Sequence, residues 1–293
     1  MELIIRFDMR GIFCDVDEDM LEVGTQMHIH STLVAPYYLM ESLALSARRL
    51  AVLEPHRADK FMTLAVSLQT QAISLYNHVV STVKIDNVNC VPIIQFAGAL
   101  GRHLLADLLA RRDEDFNVFM DHYLEFVKIH AGINLITHAA WPYLIDSDMK
   151  DFLIWAANIK HTPPIGHECD SLRHLIDSAG FDPATHDACS SMVRVLQVAL
   201  DLCQENPPRH RRHWVKFAWP VLAPQEFIDL LIQRRPEALL CIAYFGVVLH
   251  FLRHCWYTND AGKHIVMTAA NYLGPDWEQY LVYPLSTVNA DTL

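Results

Sequence analysis

The feature that most constrains the fold is an uncharged apolar run near the end of the chain, from Ala238 to Leu249. Within it, only Tyr244 and Cys241 carry polar side-chain atoms. The run is 12 residues long, whereas a helix needs about 20 apolar residues to cross a bilayer, so no membrane span is predicted here. Because the run is apolar on nearly all faces, we expect a central helix over residues 236–253 that other helices surround.

The rest of the sequence also favours helices. Of its 293 residues, 52% are hydrophobic and only 10 are glycine, and folds rich in tight turns need more glycine than that. Pro36 to Leu53 is a typical helix, since Pro suits a first turn and the pair Glu54-Pro55 ends the segment. We therefore expect an all-α fold, formed by a single large domain of about a dozen helices around the central one.

Three segments are predicted along the chain. Residues 1–27 form an atypical N-terminal segment, residues 28–285 an all-α domain of ligand-binding or regulatory type, and residues 286–293 a C-terminal tail. The stretch HTPPIGH, from His161 to His167, combines proline and glycine. It places a soft boundary within the domain near residues 160–168.

The charge of the chain argues against nucleic acid as a direct partner. The formal net charge is −11, whereas proteins that bind phosphate backbones need clustered Lys and Arg. One basic cluster is present, Arg209 to His213 followed by Lys216, directly after the dipeptide Pro207-Pro208. We interpret it as a solvated loop between two helices, in preference to a nuclear-import signal or an anion patch.

The cysteines indicate a reducing compartment. The seven are Cys14, Cys90, Cys169, Cys189, Cys203, Cys241 and Cys255. No C-x-x-C pair occurs among them, so a tetrahedral zinc module is not expected, and we interpret them as free buried thiols. The first 20 residues do not resemble a signal peptide, because charges interrupt their short apolar run. We expect an intracellular protein of the cytoplasm or the nucleus.

Catalytic and metal-binding motifs are largely missing from the sequence. It contains no G-x-G-x-x-G, Walker or G-x-S-x-G motif. His250 and His254 have helical i, i+4 spacing, but we interpret them as groups favoured near a helix C-terminus rather than as metal ligands. The loop from His161 to Asp170 is also rich in potential metal ligands, but such clusters arise readily by chance in a chain with 17 histidines. No metal and no cofactor are therefore predicted.

An acidic run, Asp15 to Asp19, has two interpretations. All-α terpene cyclases use such carboxylates to bind magnesium or to protonate an alkene. The second acidic patch of a magnesium-dependent cyclase is not evident here, and an acidic first turn of a helix explains the residues at least as well.

The stretch from Lys216 to Pro284 resembles the C-terminal end of the regulatory domains of fungal zinc-cluster transcription factors, and is closest to the sterol-responsive (sterol uptake control) regulators. The matching residues, in family order, are Trp219-Pro220, Pro224, Phe227, Leu230-Leu231, Arg234, Pro236, Ala238-Leu239, Leu249-His250, Arg253, Cys255-Trp256, Trp277 and Tyr283-Pro284. Upstream, Leu43 to Ala47 looks like the family's Leu-Ala-Leu-Ser-Ala helix. The resemblance covers about residues 28–285.

The resemblance implies an all-α domain, often dimeric, with a deep apolar pocket that senses a hydrophobic small molecule. The residues expected to bind such a ligand are Trp219, Tyr244, Gly246, His250 and Trp256. The family's six-cysteine DNA-binding cluster has no counterpart in this sequence, and the family's Gly-Trp-Gly turn is replaced by Tyr257 to Gly262. A terpenoid, sterol or polyketide is thus expected as partner, without direct nucleic-acid binding, and homodimers are expected as in the family.

Three functions remain open at this point. The protein is a ligand-binding regulator of sterol or secondary metabolism that acts through a partner, or a cofactor-free enzyme of a fungal secondary-metabolite pathway, or a degenerate relative that only dimerises. The enzyme would be a cyclase, a pericyclase such as a Diels-Alderase, or an isomerase. It would need only shape, proximity and a few donors such as His250, Tyr244 or Trp256.

Overall fold

A computed structural model describes residues 18–113, 115–147, 149–204 and 209–290 of the chain. Within these ranges every regular element is a helix and no strand occurs, which confirms the all-α class. The α-helices are α1 (Glu18–Val34), α2 (Pro36–Leu53), α3 (Ala58–Thr82), α4 (Cys90–Ala110), α5 (Phe116–Leu144), α6 (Lys150–Asn158), α7 (Asp170–Ser178), α8 (Pro183–Gln204), α9 (Arg209–Val221), α10 (Gln225–Ile232), α11 (Pro236–Phe251), α12 (Ala261–Leu273) and α13 (Glu278–Asn289). Short 3-10 helices lie at Pro55–Arg57, Ile159–His161 and Pro275–Trp277.

The chain divides into two compact units that alternate along the sequence. The first is formed by Met1–Asp107 and Gly132–Ile154, and the second by Leu108–Ala131 and Trp155–Leu293. The assignment of residues 28–285 to one ligand-binding domain stays a prediction.

An aromatic core lies between α2, α3 and α4 in the first unit. The rings of Tyr76 and Phe96 stack with their centroids 4.2 Å apart, and Tyr37 meets both edge-on at 5.6 and 5.5 Å. Pro36 opens α2 at its first turn, as the sequence predicts. These contacts fix α2 against the two helices that follow it.

A buried polar network also lies in the first unit. Nδ1 of His103 lies 3.0 Å from Oε1 of Glu41, and both side chains are almost fully buried. Burial raises the pKa of the Glu41 carboxyl. Nε of Arg48 donates to Asp107 at 2.6 Å, and its Nη2 donates to the carbonyl oxygen of Ala106 at 3.2 Å. The buried polar side chains of α2 are thus paired with groups of α4.

Helix α11 lies at the centre of the second unit. Every residue from Glu237 to His250 is buried, in agreement with the helix predicted over residues 236–253, although the helix ends at Phe251. Its most extensive partner is α12, and α7, α8, α9, α10 and α13 also contact it. A helix with no polar face is stable in water only when other helices bury all of its faces.

Two glycines set the distance between α11 and α12. A Cβ atom on Gly262 would overlap the carbonyl oxygen of Gly246 and the backbone of His250. A Cβ atom on Gly246 would lie 2.9 Å from Cγ2 of Val266 and 3.0 Å from the carbonyl oxygen of Gly262. The sequence leaves open whether Gly246 admits a close neighbour or a ligand. In the structure it admits a close neighbour.

Candidate functional site

Trp219, the first of the predicted ligand-binding residues, lies in the core of the second unit. Its side chain is fully buried, and its indole Nε1 donates to the carbonyl oxygen of Met192 at 3.1 Å. The ring stacks on Phe245, with centroids 4.9 Å apart, and meets Phe227 edge-on at 5.9 Å. Trp219 thereby joins α8, α9, α10 and α11.

Tyr244 is likewise enclosed by protein. Its hydroxyl donates to the carbonyl oxygen of Tyr280 at 3.1 Å and lies 3.0 Å from Oγ of Ser171. Burial raises the pKa of the Tyr244 phenol, so this hydroxyl keeps its proton at neutral pH. The side chain connects α11 to α7 and α13.

A groove of about 560 Å³ opens where α11 ends beside α13. Its lining residues are His250, Phe251, Arg253, Tyr283, Ser286, Thr287 and Ala290. Of the five predicted ligand-binding residues, His250 alone belongs to this lining. Trp256 lies half-buried beyond the end of α11, with its ring edge-on to Tyr257 at 5.2 Å. The structure therefore does not gather the five residues around one opening.

The groove combines apolar and polar surface. Phe251, Tyr283 and Ala290 offer apolar area, whereas Arg253 adds a guanidinium group and Ser286 and Thr287 add hydroxyls. Burial raises the pKa of the Tyr283 phenol to about 12, so this side chain contributes a neutral ring to the wall. The residues from α13 lie outside the set that the sequence predicts. The spacing of Tyr283, Ser286 and Thr287 along α13, with Ala290 directly after its end, is the signal that could have indicated a common face.

A second group of chemically active side chains joins α9 to the turn that follows α11. Nε2 of His213 lies 3.0 Å from Nε2 of His254, and Nδ1 of His213 lies 3.4 Å from Sγ of Cys255. Nζ of Lys216 lies 3.0 Å from Nδ1 of His213 and 3.7 Å from Sγ of Cys255. His213, Lys216 and Cys255 are buried, whereas His254 is exposed. We call these four residues the His-Cys cluster.

The two ring nitrogens of His213 face different members of the His-Cys cluster. Its Nδ1 faces Nζ of Lys216 and its Nε2 faces Nε2 of His254, so each ring nitrogen of His213 has a polar neighbour. Burial, together with the nearby His213, Arg212 and Lys216, lowers the pKa of His254 despite the opposing effect of Cys255. Burial therefore favours the neutral form of the His254 imidazole.

The neighbours of the Lys216 Nζ are an aromatic ring, an imidazole and a thiol rather than a carboxylate. Its Nζ lies 4.5 Å from the ring centroid of Tyr257, in addition to the imidazole and thiol contacts. In the part of the chain that the structure describes, no Asp or Glu forms an ion pair with it. Nζ of Lys216 is therefore a polar partner of the Cys255 sulfur.

The prediction that the basic cluster forms a solvated loop is wrong. Arg209–Val221 is the helix α9, and His213 and Lys216 lie on its buried side, one turn apart. The apolar residues that follow, Trp214, Val215 and Phe217, were the available signal for an amphipathic helix. The run of charges and the preceding prolines obscured it.

The other proposed donor clusters have structural partners. Asp201 of α8 accepts from the amides of Ile165 and Gly166 at 2.7 and 3.0 Å, and Gln197 donates to Glu168 at 2.5 Å. Burial alone would raise the pKa of Glu168, but the bonds from Gln197 and Gln204 outweigh it and lower that pKa. These bonds fasten the 161–170 loop to α8. Most of the Asp15–Asp19 run lies outside the described residues.

The chain shows no match to any protein-family model, to any curated protein or to any solved structure. The likeness to fungal regulatory domains therefore stays a prediction from the residues quoted above. Among the described residues one helix, Cys90–Ala110, is long and apolar enough to cross a membrane, and 67% of its apolar window is buried. A helix in a protein core passes the same test, so this is weak evidence for a span.

Proposed function

We propose that the protein binds a hydrophobic small molecule with a polar end in the groove between the end of α11 and α13. The observation that carries this proposal is the groove itself. Its volume of about 560 Å³ falls within the range of about 300–1,000 Å³ that is usual for small-molecule sites. Its lining mixes aromatic side chains with a few polar groups, as such sites do.

The lining also supports a class of ligand. An aliphatic or fused-ring body fits against Phe251 and Tyr283, and a carboxylate or hydroxyl fits beside Arg253 and the hydroxyls of Ser286 and Thr287. Terpenoids, sterols and polyketides with an oxygenated end have this chemistry. Together with the resemblance of Lys216 to Pro284, this supports a role in the regulation of sterol or secondary metabolism.

A matched pair of tryptophan variants tests the groove. Ser286 is exposed on α13 and lines the groove, so Ser286→Trp should fill it. Val282, one turn earlier on the same helix, is 63% exposed and lies outside the lining, so Val282→Trp is the control. Titration with a fluorescent polyene fatty acid and a fluorescent sterol should show affinity at least about tenfold weaker in Ser286→Trp alone, because its indole occupies the space of the ligand.

Equal affinities in the two variants, or no binding of either probe by the original protein, would refute a binding groove at this place. Retained sterol binding with lost fatty-acid binding in Arg253→Ala would assign the polar end to a carboxylate. The same purified protein, incubated with terpenoid and polyketide intermediates, addresses the cyclase alternative. Binding without any product excludes catalysis for the compounds used.

A further inference from the structure

The His-Cys cluster brings three potential metal ligands together from two separate parts of the second unit. One donor atom each from His213, His254 and Cys255 lies within 4.8 Å of the other two. The two histidines are 41 positions apart in the sequence. None of the three residues lines the groove or belongs to the ligand-binding set that the resemblance implies. We propose that these three side chains bind a late first-row transition-metal ion, with Zn²⁺ as the natural occupant.

The distances fit such an ion. Zinc binds imidazole nitrogen at about 2.0–2.1 Å and thiolate sulfur at about 2.3 Å, which in a tetrahedron separates the ligand atoms by roughly 3.3–3.6 Å. The Nε2 atoms of His213 and His254 already lie 3.0 Å apart. The largest separation in the set, 4.8 Å, exceeds the tetrahedral value by little more than about 1 Å, which side-chain rotation can close.

The donors also suit this class of metal. Two imidazoles and one thiolate favour zinc or its neighbours over magnesium and calcium, which prefer oxygen. Cys255 binds as the thiolate and releases its proton, and that negative charge offsets part of the charge of the ion. The Lys216 amine is not a ligand. Its Nζ lies 3.7 Å from Cys255 Sγ, where it can hydrogen-bond the thiolate.

Three protein ligands leave one tetrahedral position open. His213 and Cys255 are buried, whereas His254 is exposed, so solvent reaches the cluster at His254. An open fourth position is typical of catalytic zinc sites rather than structural ones. A water molecule or a small ligand with a soft donor can occupy it.

Cobalt provides the test, because Co²⁺ takes zinc sites and reports its ligands through its absorption spectrum. Titration of the metal-free protein should end at one ion per chain, with tetrahedral visible bands and a thiolate charge-transfer band. Cys255→Ser should lose the charge-transfer band, and His254→Ala should weaken binding at least about tenfold. Zn²⁺ should displace the cobalt.

The control variants are Cys203→Ser and His174→Ala, since Cys203 lies outside the cluster and His174 is an exposed residue of α7 that does not belong to it. Both should bind cobalt as the original protein does. His254 is exposed and Cys255→Ser is nearly isosteric, so both cluster variants should fold, which far-ultraviolet circular dichroism checks. The absence of stoichiometric binding, a spectrum without thiolate ligation, or a charge-transfer band that survives in Cys255→Ser would each overturn the proposal.

Discussion

Single polar atoms on buried aromatic residues connect the helices of the second unit. Trp219 donates to the backbone of α8, and Tyr244 donates to the backbone of α13 while it contacts Ser171 of α7. A buried donor that loses its partner costs more than an apolar contact of the same size. These residues therefore fix the orientation of their helices as well as filling space.

Tyr244→Phe should lower the free energy of unfolding by about 1–2 kcal/mol, because Oγ of Ser171 and the carbonyl oxygen of Tyr280 each lose a partner. Urea unfolding followed by circular dichroism measures the change. Tyr272→Phe is the control, since Tyr272 is 42% exposed and packs on Phe116 through its ring. An equal loss of unfolding free energy in the two variants would show that the hydrogen bonds of the Tyr244 hydroxyl do not stabilise the fold.

Polar partners of this kind could not be predicted from the sequence. His213 and Cys255 are 42 positions apart, and Tyr244 and Ser171 are 73 apart. Sequence patterns report spacing along one helix, so they identified His250 and His254 as a pair. In the structure the close neighbour of His254 is His213, on another helix.

The crossing of α11 and α12 shows how two small residues decide the packing of whole helices. The backbones approach closely at Gly246 and Gly262, with Val266 directly beside them. Glycine in a helix costs about 1 kcal/mol relative to alanine. The close contact between the two helices offsets that cost.

Gly262→Ala should therefore destabilise the second unit by about 1–3 kcal/mol, since the new methyl group overlaps the backbone of α11. Thermal unfolding measures the loss. Gly24→Ala in α1 is a matched control, because nothing lies within 4 Å of the added Cβ atom and alanine favours the helix there. Unchanged thermal stability in Gly262→Ala would mean that α12 can move away from α11 without loss of stability, which would contradict the packing described.

The elements themselves were largely predictable. Pro36–Leu53 has the predicted bounds, because proline marks its start and Glu54-Pro55 its end. Helix α11 begins at the predicted Pro236. Helix α9 was missed because Lys and Arg composition suggested exposure, whereas the burial of His213 and Lys216 depends on groups that other helices supply. The local sequence pattern predicts where helices form, whereas contacts with other helices decide which of their faces are buried.

Over the whole molecule, two buried histidines make stability depend on pH. Burial lowers the pKa of His28 and of His130 from 6.5 to about 4. The folded state favours their neutral forms, so this contribution is complete above pH 6.5 and is lost as the pH falls towards 4. Each histidine should contribute about 2–3 kcal/mol over that window.

Urea unfolding between pH 7 and pH 4 should show this loss, and the slope should become shallower in His130→Gln. The exposed His174, changed to Gln, should leave the slope as it is. The slope is compared rather than the stability at one pH, because His130→Gln also alters packing against Phe126, whose ring centroid lies 4.3 Å away. An unchanged slope in His130→Gln would contradict the assignment.

The second unit takes its chain from two separated segments, Leu108–Ala131 and Trp155–Leu293, and this has a consequence for its synthesis. Phe116 packs against Tyr272, which follows it by 156 positions. At about 5–20 residues per second, a ribosome needs roughly 8–30 seconds to make the chain between them. The aromatic face at the start of α5 stays uncovered for that time, so the nascent chain should depend on chaperones that shield such surfaces until α12 has emerged.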